Sequence, residues 1–132
     1  MDVKKMKPEN MQFVYVCSRY RGNSLREIFA NIDLTLYACR QVIEMGAIPI
    51  APHLYFPRFL DDNNDVERRL GMEAGKRLMK VCKSFYVLTV DQKVSEGMRE
   101  ELDYMTKTLG LEGFYKDLTR QEAEGITKKT ER

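Results

Sequence analysis

The sequence predicts an α/β domain in which helices cover both faces of a parallel sheet. Short apolar segments, rich in β-branched and aromatic residues, alternate along the chain with longer segments whose apolar residues recur at helical spacing. Strands and helices that alternate in this way form parallel sheets with right-handed crossover connections. The length of 132 residues suits one such domain.

The composition narrows the class of protein. Hydrophobic residues make up 43% and charged residues 32% of the chain, which is typical of a folded protein in water. No apolar run approaches the roughly 18 residues that a membrane span needs. The Lys-rich residues 1–10 lack the apolar core of a secretory signal. A net charge of +2 attracts nucleic acid only weakly. We therefore expect a cytoplasmic protein that binds neither a membrane nor nucleic acid.

Cysteines and histidine offer few ligands for a metal. Cys17, Cys39 and Cys82 form no Cys-x-x-Cys pair, so we expect three reduced, mostly buried thiols. His53 is the single histidine, which is too few for a His-based zinc site. We expect neither a metal nor a cofactor.

A polar arm precedes the first strand and a long helix. We expect residues 1–11 to be a flexible arm, and residues 12–18 to be a buried parallel strand because they are almost continuously apolar. A Ser-x-x-Glu capping box at Ser24 predicts a helix over residues 25–45. The apolar residues expected on its buried face are Ile28, Ile32, Leu36, Cys39 and Ile43.

A shorter strand and a long connection follow. Residues 47–52 are apolar but contain Pro49, which cannot donate to a sheet ladder, so we expect this strand at a sheet edge. Residues 53–64 are predicted to form a loop. Its aromatic residues fit a base-stacking pocket, a satellite of the core or a subunit contact; they are Tyr55, Phe56 and Phe59.

The alternation continues in the second half of the chain. A helix begins at residue 64 or 65, and the residues expected on its buried face are Val66, Leu70, Ala74, Leu78 and Val81. Residues 84–90 form a strand, the next helix ends at Gly110, and residues 113–115 are a candidate fourth strand.

One domain accounts for most of the chain. It spans residues 12–118 and holds all the predicted strands. Residues 119–132 add a short helix, begun by a second capping box at Thr119, and a tail that we expect to fray.

Ligands of parallel sheets bind beyond the carboxyl ends of the strands, where the strand order reverses. This rule brings together residues 18–23, residues 51–53 and residues 91–101. The first loop leads into a helix N-terminus, where backbone N–H groups and arginine side chains suit a phosphate or carboxylate. A solvated surface loop explains its two arginines equally well. The candidate residues are Ser18, Arg19, Arg21, Gly22 and Asn23.

The turn after the third strand offers further candidates. Gly97 lets a ligand approach the backbone closely, and Ser95 can either cap the helix or donate to a ligand hydroxyl. Acidic residues in a first helical turn usually serve the helix dipole; here they are Glu96, Glu100 and Glu101. His53 stands at the end of the second strand, although a lone histidine is more often structural than catalytic. The motifs of dinucleotide folds, triphosphate folds and serine hydrolases are absent.

Several of these segments together resemble a known family. They occur in order as Tyr15-Val16-Cys17-Ser18, Arg21-Gly22, Asn31, residues 46–53, Phe56-Pro57-x-Phe59-Leu60-Asp61-Asp62, Glu67-Arg68 with Gly71, and Ser95-x-Gly97-Met98-x-x-Glu101. Over roughly residues 12–110 the chain closely resembles an uncharacterised family of small bacterial and phage proteins. That family is related to nucleoside 2-deoxyribosyltransferases and deoxynucleoside-monophosphate N-glycosidases.

The resemblance implies a flavodoxin-like (Rossmann-like) three-layer sandwich with a short, mostly parallel sheet of four or five strands, usually in a homo-oligomer. It implies that Glu101 attacks the anomeric carbon of a deoxyribose. Ser95 matches a ligand-contacting serine, and Arg21-Gly22 matches a phosphate loop. Met98 lies within the same motif, and the resemblance implies that it is a substrate-binding residue. One position departs from the pattern, because Lys83 follows Cys82 where the enzymes commonly carry an aspartate.

Three functions remain open from the sequence. The first is an N-glycosidase or deoxyribosyltransferase acting on a nucleoside or nucleotide, with Glu101 as nucleophile and with His53 or Tyr20 against the base. The second is a non-catalytic nucleotide sensor that uses the same pocket, which the Lys83 departure favours. The third is an oligomeric interaction protein whose aromatic loop forms the interface.

Overall fold

The computed structural model describes residues 2–128 and has the α/β architecture that the sequence predicts. Its described part contains one all-parallel sheet in the order β2-β1-β3-β4, formed by β1 (Phe13–Cys17), β2 (Ile48–Ile50), β3 (Ser84–Val90) and β4 (Gly113–Leu118). The helices are α1 (Leu25–Glu44), α2 (Phe56–Phe59), α3 (Asp65–Val81), α4 (Glu96–Asp103) and α5 (Arg120–Lys128). Met1 of the predicted arm and residues 129–132 of the predicted tail lie outside the described residues.

Alternating side chains of the inner strands build two cores, one on each face of the sheet. Val14 and Val16 point toward α1 and α5, whereas Tyr15 and Cys17 point toward α3 and α4. All four of these β1 side chains are buried, since β1 is covered on both faces. The result is a three-layer sandwich of the flavodoxin-like class.

The sheet edges fit the sequence prediction. β2 pairs only with β1, opposite Phe13–Tyr15, so Pro49 lies on an edge strand as expected. β4 forms the other edge and is longer than the predicted residues 113–115, because its ladder to β3 continues as far as Leu118.

Both predicted capping boxes lie at helix starts. Ser24 Oγ accepts the backbone N–H of Glu27 at 3.2 Å, although the Glu27 carboxylate bonds the N–H of Asn23 rather than that of Ser24. At α5 the box is reciprocal: Glu122 N–H donates to Thr119 Oγ1 at 3.1 Å, and Thr119 N–H donates to Glu122 Oε1 at 2.9 Å. The two capping-box patterns in the sequence therefore predicted both helix starts correctly.

The buried faces of α1 and α3 differ from those predicted. In α3, Val66, Leu70 and Val81 are exposed, and the buried positions are Gly75 and Met79. In α1 the predicted Leu36 is 47% exposed, whereas the buried positions are Asp33, Thr35, Ala38 and Val42. Each buried face includes a small residue, Gly75 in α3 and Ala38 in α1, which lets the helix approach its neighbours closely. When large apolar residues occur on more than one side of a helix, their spacing does not show which side is buried against the sheet.

Two segments, the expected loop and the N-terminal arm, are more ordered than predicted, and one helix ends differently. Within residues 53–64, a 3₁₀ turn (Pro52–Leu54) and the short α2 replace part of the expected loop, and the ring of Phe56 packs edge-on against Tyr55 and Phe59. The helix expected to end at Gly110 becomes a π-helical turn over Tyr104–Thr108, and Gly110 follows with a φ of +66°. In the N-terminal arm, Val3–Lys5 and Pro8–Asn10 form 3₁₀ turns.

Among the described residues, no helix combines the length and apolar character that crossing a bilayer requires.

The register of α1 can be tested by a pair of truncations. We expect Val42→Ala to lower the free energy of unfolding by about 2 kcal/mol, because it empties space in a fully buried position. Leu36→Ala should cost less than about 1 kcal/mol because that side chain is half exposed. Urea denaturation of both variants provides the comparison, and equal losses would contradict this register.

Candidate functional site

A cavity of about 530 Å³ lies at the carboxyl ends of β1 and β3. The chain runs from β1 outward to β2 and then returns to β3 on the other side, so the strand order reverses between β1 and β3. The volume falls within the range of about 300–1,000 Å³ seen for small-molecule sites. Predicted residues that line this cavity are Ser18, Tyr20, Arg21, His53, Ser95, Gly97, Met98 and Glu101.

Glu101 lies in the wall of this cavity with a side chain that is only 17% exposed. The hydroxyl of Tyr15 donates to Glu101 Oε2 at 2.5 Å, and Cys17 Sγ lies 3.7 Å from Glu101 Oε1. Burial of a carboxylate is costly unless donors replace the water it loses. Tyr15 provides such a donor from the inner strand β1, so the carboxylate is fixed by the sheet as well as by its own helix.

Tyr15 and Cys17 are protonated donors at neutral pH. Burial raises the pKa of the Tyr15 hydroxyl well above its usual value, and the nearby charge of Glu101 raises it further. The same two causes, in the same order, raise the pKa of the Cys17 thiol. Sequence reasoning counted both residues as strand core. The available signal was a tyrosine in a fully buried strand, because its hydroxyl then requires a partner.

His53 lies beside the same carboxylate. Its Nε2 is 3.4 Å from Glu101 Oε2, and its ring stacks on Tyr20 with centroids 5.7 Å apart and planes 14° apart. Burial lowers the pKa of His53, but the hydrogen bond and charge of Glu101, together with Asp62, outweigh it, so the net shift is upward from 6.5. The protonated ring therefore stabilises the fold below about pH 6.5. That contribution is lost as the pH rises through the folded-state pKa.

The loop after β1 is held by side chains of α1. Asn31 Nδ2 donates to the carbonyl oxygens of Tyr20 and Arg21, at 3.0 and 3.1 Å. Ser18 Oγ lies 2.6 Å from Thr35 Oγ1. These bonds fix the backbone from which Tyr20 and Arg21 reach the cavity. The Asn31 amide thus positions the loop without lining the cavity itself.

Three predicted residues of this loop do not line the cavity. Arg19 and Gly22 line a smaller cavity on the opposite face of the sheet. The backbone N–H of Asn23 donates to the Glu27 carboxylate, so it serves the start of α1. Because the chain reverses direction between β1 and α1, neighbouring residues of this loop reach cavities on different faces of the sheet.

The turn before α4 carries the other predicted residues. Ser95 Oγ accepts the N–H of Met98 at 3.2 Å, which caps α4 and leaves the hydroxyl proton free to donate. Glu100 also lines the cavity but is exposed, and Glu101 alone of this pair contacts Tyr15 and His53. Lys83 is exposed at the amino end of β3 and is not part of the cavity wall.

Two glycines of α3 keep the cavity wall open. Gly71 and Gly75 both line the cavity, and a Cβ at Gly75 would lie 3.8 Å from the Tyr15 hydroxyl oxygen, at ordinary contact distance. Apolar side chains contribute other parts of the wall, namely Phe56, Pro57, Met72, Met79 and Met98. Over residues 2–128, no group of three or more His, Cys, Asp or Glu side chains is arranged to hold a metal ion.

The fold and this cavity define an α/β protein with a candidate small-molecule site at the switch point of a parallel sheet. The chain belongs to a family defined by a domain of unknown function (DUF7768), which matches residues 12–112. The matched segment contains every residue that lines the cavity, whereas β4 and α5 follow it. No curated protein matches the chain significantly.

The contact between His53 and Glu101 predicts a specific titration. His53 is the only histidine, so its ring signals in the NMR spectrum of the untagged chain are unambiguous. We expect its pKa to lie above 6.5 and to fall in Glu101→Gln, because burial then acts against a smaller opposing charge. Glu100→Gln removes the same charge from the neighbouring exposed residue and should leave the titration nearly unchanged. A pKa that is equal in both variants would contradict the geometry.

Proposed function

We propose that this protein binds a nucleoside or nucleotide and cleaves or transfers its N-glycosidic bond, with Glu101 as the nucleophile. The observation that carries the proposal is a single one: a carboxylate with only 17% of its side chain exposed faces a 530 Å³ cavity and is oriented by Tyr15 and His53. A buried, oriented carboxylate beside space for a sugar is the arrangement that glycosyl transfer through a covalent ester requires.

In the first step, a Glu101 oxygen attacks the anomeric carbon of the sugar. The bond from that carbon to the base nitrogen breaks, and its electron pair leaves with the base, which takes up a proton. The product is a glycosyl ester of Glu101. Tyr15 and His53 both contact Oε2, and Cys17 Sγ lies near Oε1, so both oxygens of the carboxylate are held in one orientation at the cavity wall.

The second step resolves the ester. Water attacks the anomeric carbon, the bond to the Glu101 oxygen breaks, and the water proton passes to a base. His53 in its neutral form, with Nε2 3.4 Å from Glu101 Oε2, is the candidate base. A second nucleobase in place of water gives transfer instead of hydrolysis. The pathway needs no metal and no redox cofactor.

The remaining cavity residues suit the other parts of a nucleotide. Arg21 and the Ser95 hydroxyl are placed to bind a phosphate or a sugar hydroxyl, and Phe56 and Met72 provide apolar surface for a base. The Lys83 departure, which favoured a non-catalytic sensor, lies at the other end of β3 and does not alter this wall. The deoxyribosyltransferase-like reaction is therefore preferred over sensing alone.

The reaction can be assayed directly. We expect the protein to release free base from at least one of the common deoxynucleosides or their 5′-monophosphates, detected by chromatography. Glu101→Gln should lower the rate at least about 1,000-fold, because an amide is a poor nucleophile.

The matched control is Glu100→Gln, which should retain activity within a few fold. Full turnover by Glu101→Gln would contradict the mechanism. If thermal shift shows ligand binding but no base appears, the protein is a sensor and the catalytic proposal is wrong.

A substitution in α3 should separate stability from function. We expect Gly75→Ala to raise the free energy of unfolding by about 0.5–1 kcal/mol, because alanine is the better helix former and its methyl group meets Tyr15 only at contact distance. The same methyl group occupies space beside Tyr15 and Glu101, so KM for the substrate should rise. Denaturation and steady-state kinetics measure the two effects. Gly125→Ala in α5, where a Cβ meets nothing within 4 Å and which does not line the cavity, is the control for the general effect of a glycine-to-alanine change in a helix.

A further inference from the structure

A second cavity of about 290 Å³ lies at the same carboxyl edge of the sheet, on the opposite face. The first cavity is walled by α3 and α4, whereas the second lies between α1, α5 and the turn after β3. Ser18, Arg21 and Met98 line both. The two cavities are therefore neighbours separated by the loop after β1.

The charges of the two cavities differ in sign. The second cavity has four cationic residues and two carboxylates in its wall: Arg19, Arg21, Lys93 and Arg120, with Glu27 and Glu124. In the first cavity the carboxylates outnumber the lysine and arginine side chains, with Asp62, Glu96, Glu100, Glu101 and Asp103 against Arg21, Arg68 and Lys76. An anion is therefore more strongly attracted to the second cavity than to most of the first.

One cationic wall of the second cavity is held in place by a network at the end of β3. The Asp117 carboxylate accepts the Thr89 hydroxyl at 2.6 Å and the Gln92 N–H at 2.8 Å. Asp91 accepts the Arg120 N–H at 3.2 Å, and its other oxygen lies 3.6 Å from Arg120 Nε. This network ties the turn that carries Lys93 to the start of α5, although the Asp91 pair neutralises part of the Arg120 charge.

The opposite wall is also fixed. Arg19 Nε donates to the Arg21 carbonyl oxygen at 3.3 Å, which leaves the terminal nitrogens of its guanidinium available. The Asn31 amide holds the Tyr20 and Arg21 carbonyl oxygens in the same segment. The backbone of both cation-bearing segments is thus ordered before any ligand arrives, and little backbone entropy is lost when an anion binds between them.

We propose that this second cavity is a binding site for phosphoryl groups, of the size and charge of a diphosphate. Arginine forks form bidentate hydrogen bonds with phosphoryl oxygens, and Lys93 adds a mobile point charge. The phosphoryl group belongs either to the ligand whose sugar and base occupy the first cavity or to a separate ion. The site does not depend on the glycosyl chemistry of Glu101.

The test uses inorganic pyrophosphate and the full chain in isothermal titration calorimetry. We expect saturable binding that weakens about tenfold or more in Lys93→Ala, because a charge-assisted hydrogen bond is lost. Lys83→Ala removes the same charge from an exposed site at the amino end of β3 and should leave the affinity unchanged. Absence of pyrophosphate binding, or equal weakening in the two variants, would overturn the proposal.

Backbone amide shifts in NMR locate the anion independently. Pyrophosphate should move the signals of Gly22, Lys93 and Arg120; shifts confined to Ser95 and Gly97 would place it in the first cavity and refute the inference. Glu101→Gln should bind pyrophosphate as the unaltered chain does, so a failed glycosidase assay leaves this result standing. A deoxynucleoside diphosphate that competes with pyrophosphate and also shifts the Ser95 and Gly97 signals is one ligand that spans both cavities, whereas simultaneous binding identifies a separate ion.

Discussion

The hydrogen bond from the Tyr15 hydroxyl to Glu101 is the constraint on which the rest of the site depends. It joins the inner strand β1 to the helix after β3 and supplies a donor to a carboxylate that has lost most of its water. Because Tyr15 is fully buried, its ring cannot move without disturbing the core between the sheet and α3. The position of the carboxylate is therefore set by the packing of the fold, and His53 contacts it from the turn after β2.

The two faces of the sheet differ in the side chains that cover them. The face toward α1 and α5 is aliphatic near its centre, with Val14, Val16 and Val42, and it is closely packed. The face toward α3 and α4 contains Tyr15, Cys17 and three methionines, and it opens into the larger cavity. Flexible methionine side chains and the glycines of α3 tolerate an irregular surface there. The sheet thus divides two cores of different composition, and the larger cavity opens on the one that contains Tyr15, Cys17 and the methionines.

Local chemistry predicted more of this structure than periodicity did. The capping serines and threonine, Pro49 at the edge and the apolar inner strands all follow from one or a few neighbouring residues, and each lies where expected. The predictions of which residues of α1 and α3 are buried were partly wrong. Which side of a helix faces the sheet depends on how closely its residues can approach the sheet, and this is not visible in the spacing of large apolar residues. The pairing of Tyr15 with Glu101 joins residues 86 positions apart, so no local pattern could reveal it. The rule that ligands bind at the carboxyl ends of parallel strands brought Ser95 and His53 to the cavity, but it could not show that Arg19 lines only the second cavity whereas Arg21 lines both.

The two borders of the sheet are chemically unequal. On the β2 side, Pro49 has no N–H to offer, and the strand is only three residues long. On the other side the edge strand is β4, which has six residues and no proline. Its Phe114 and Tyr115 side chains are exposed. An extended segment of another chain would find a regular row of donors and acceptors only along β4. A further strand would therefore pair with β4 more readily than with β2, where the short strand and Pro49 hinder pairing.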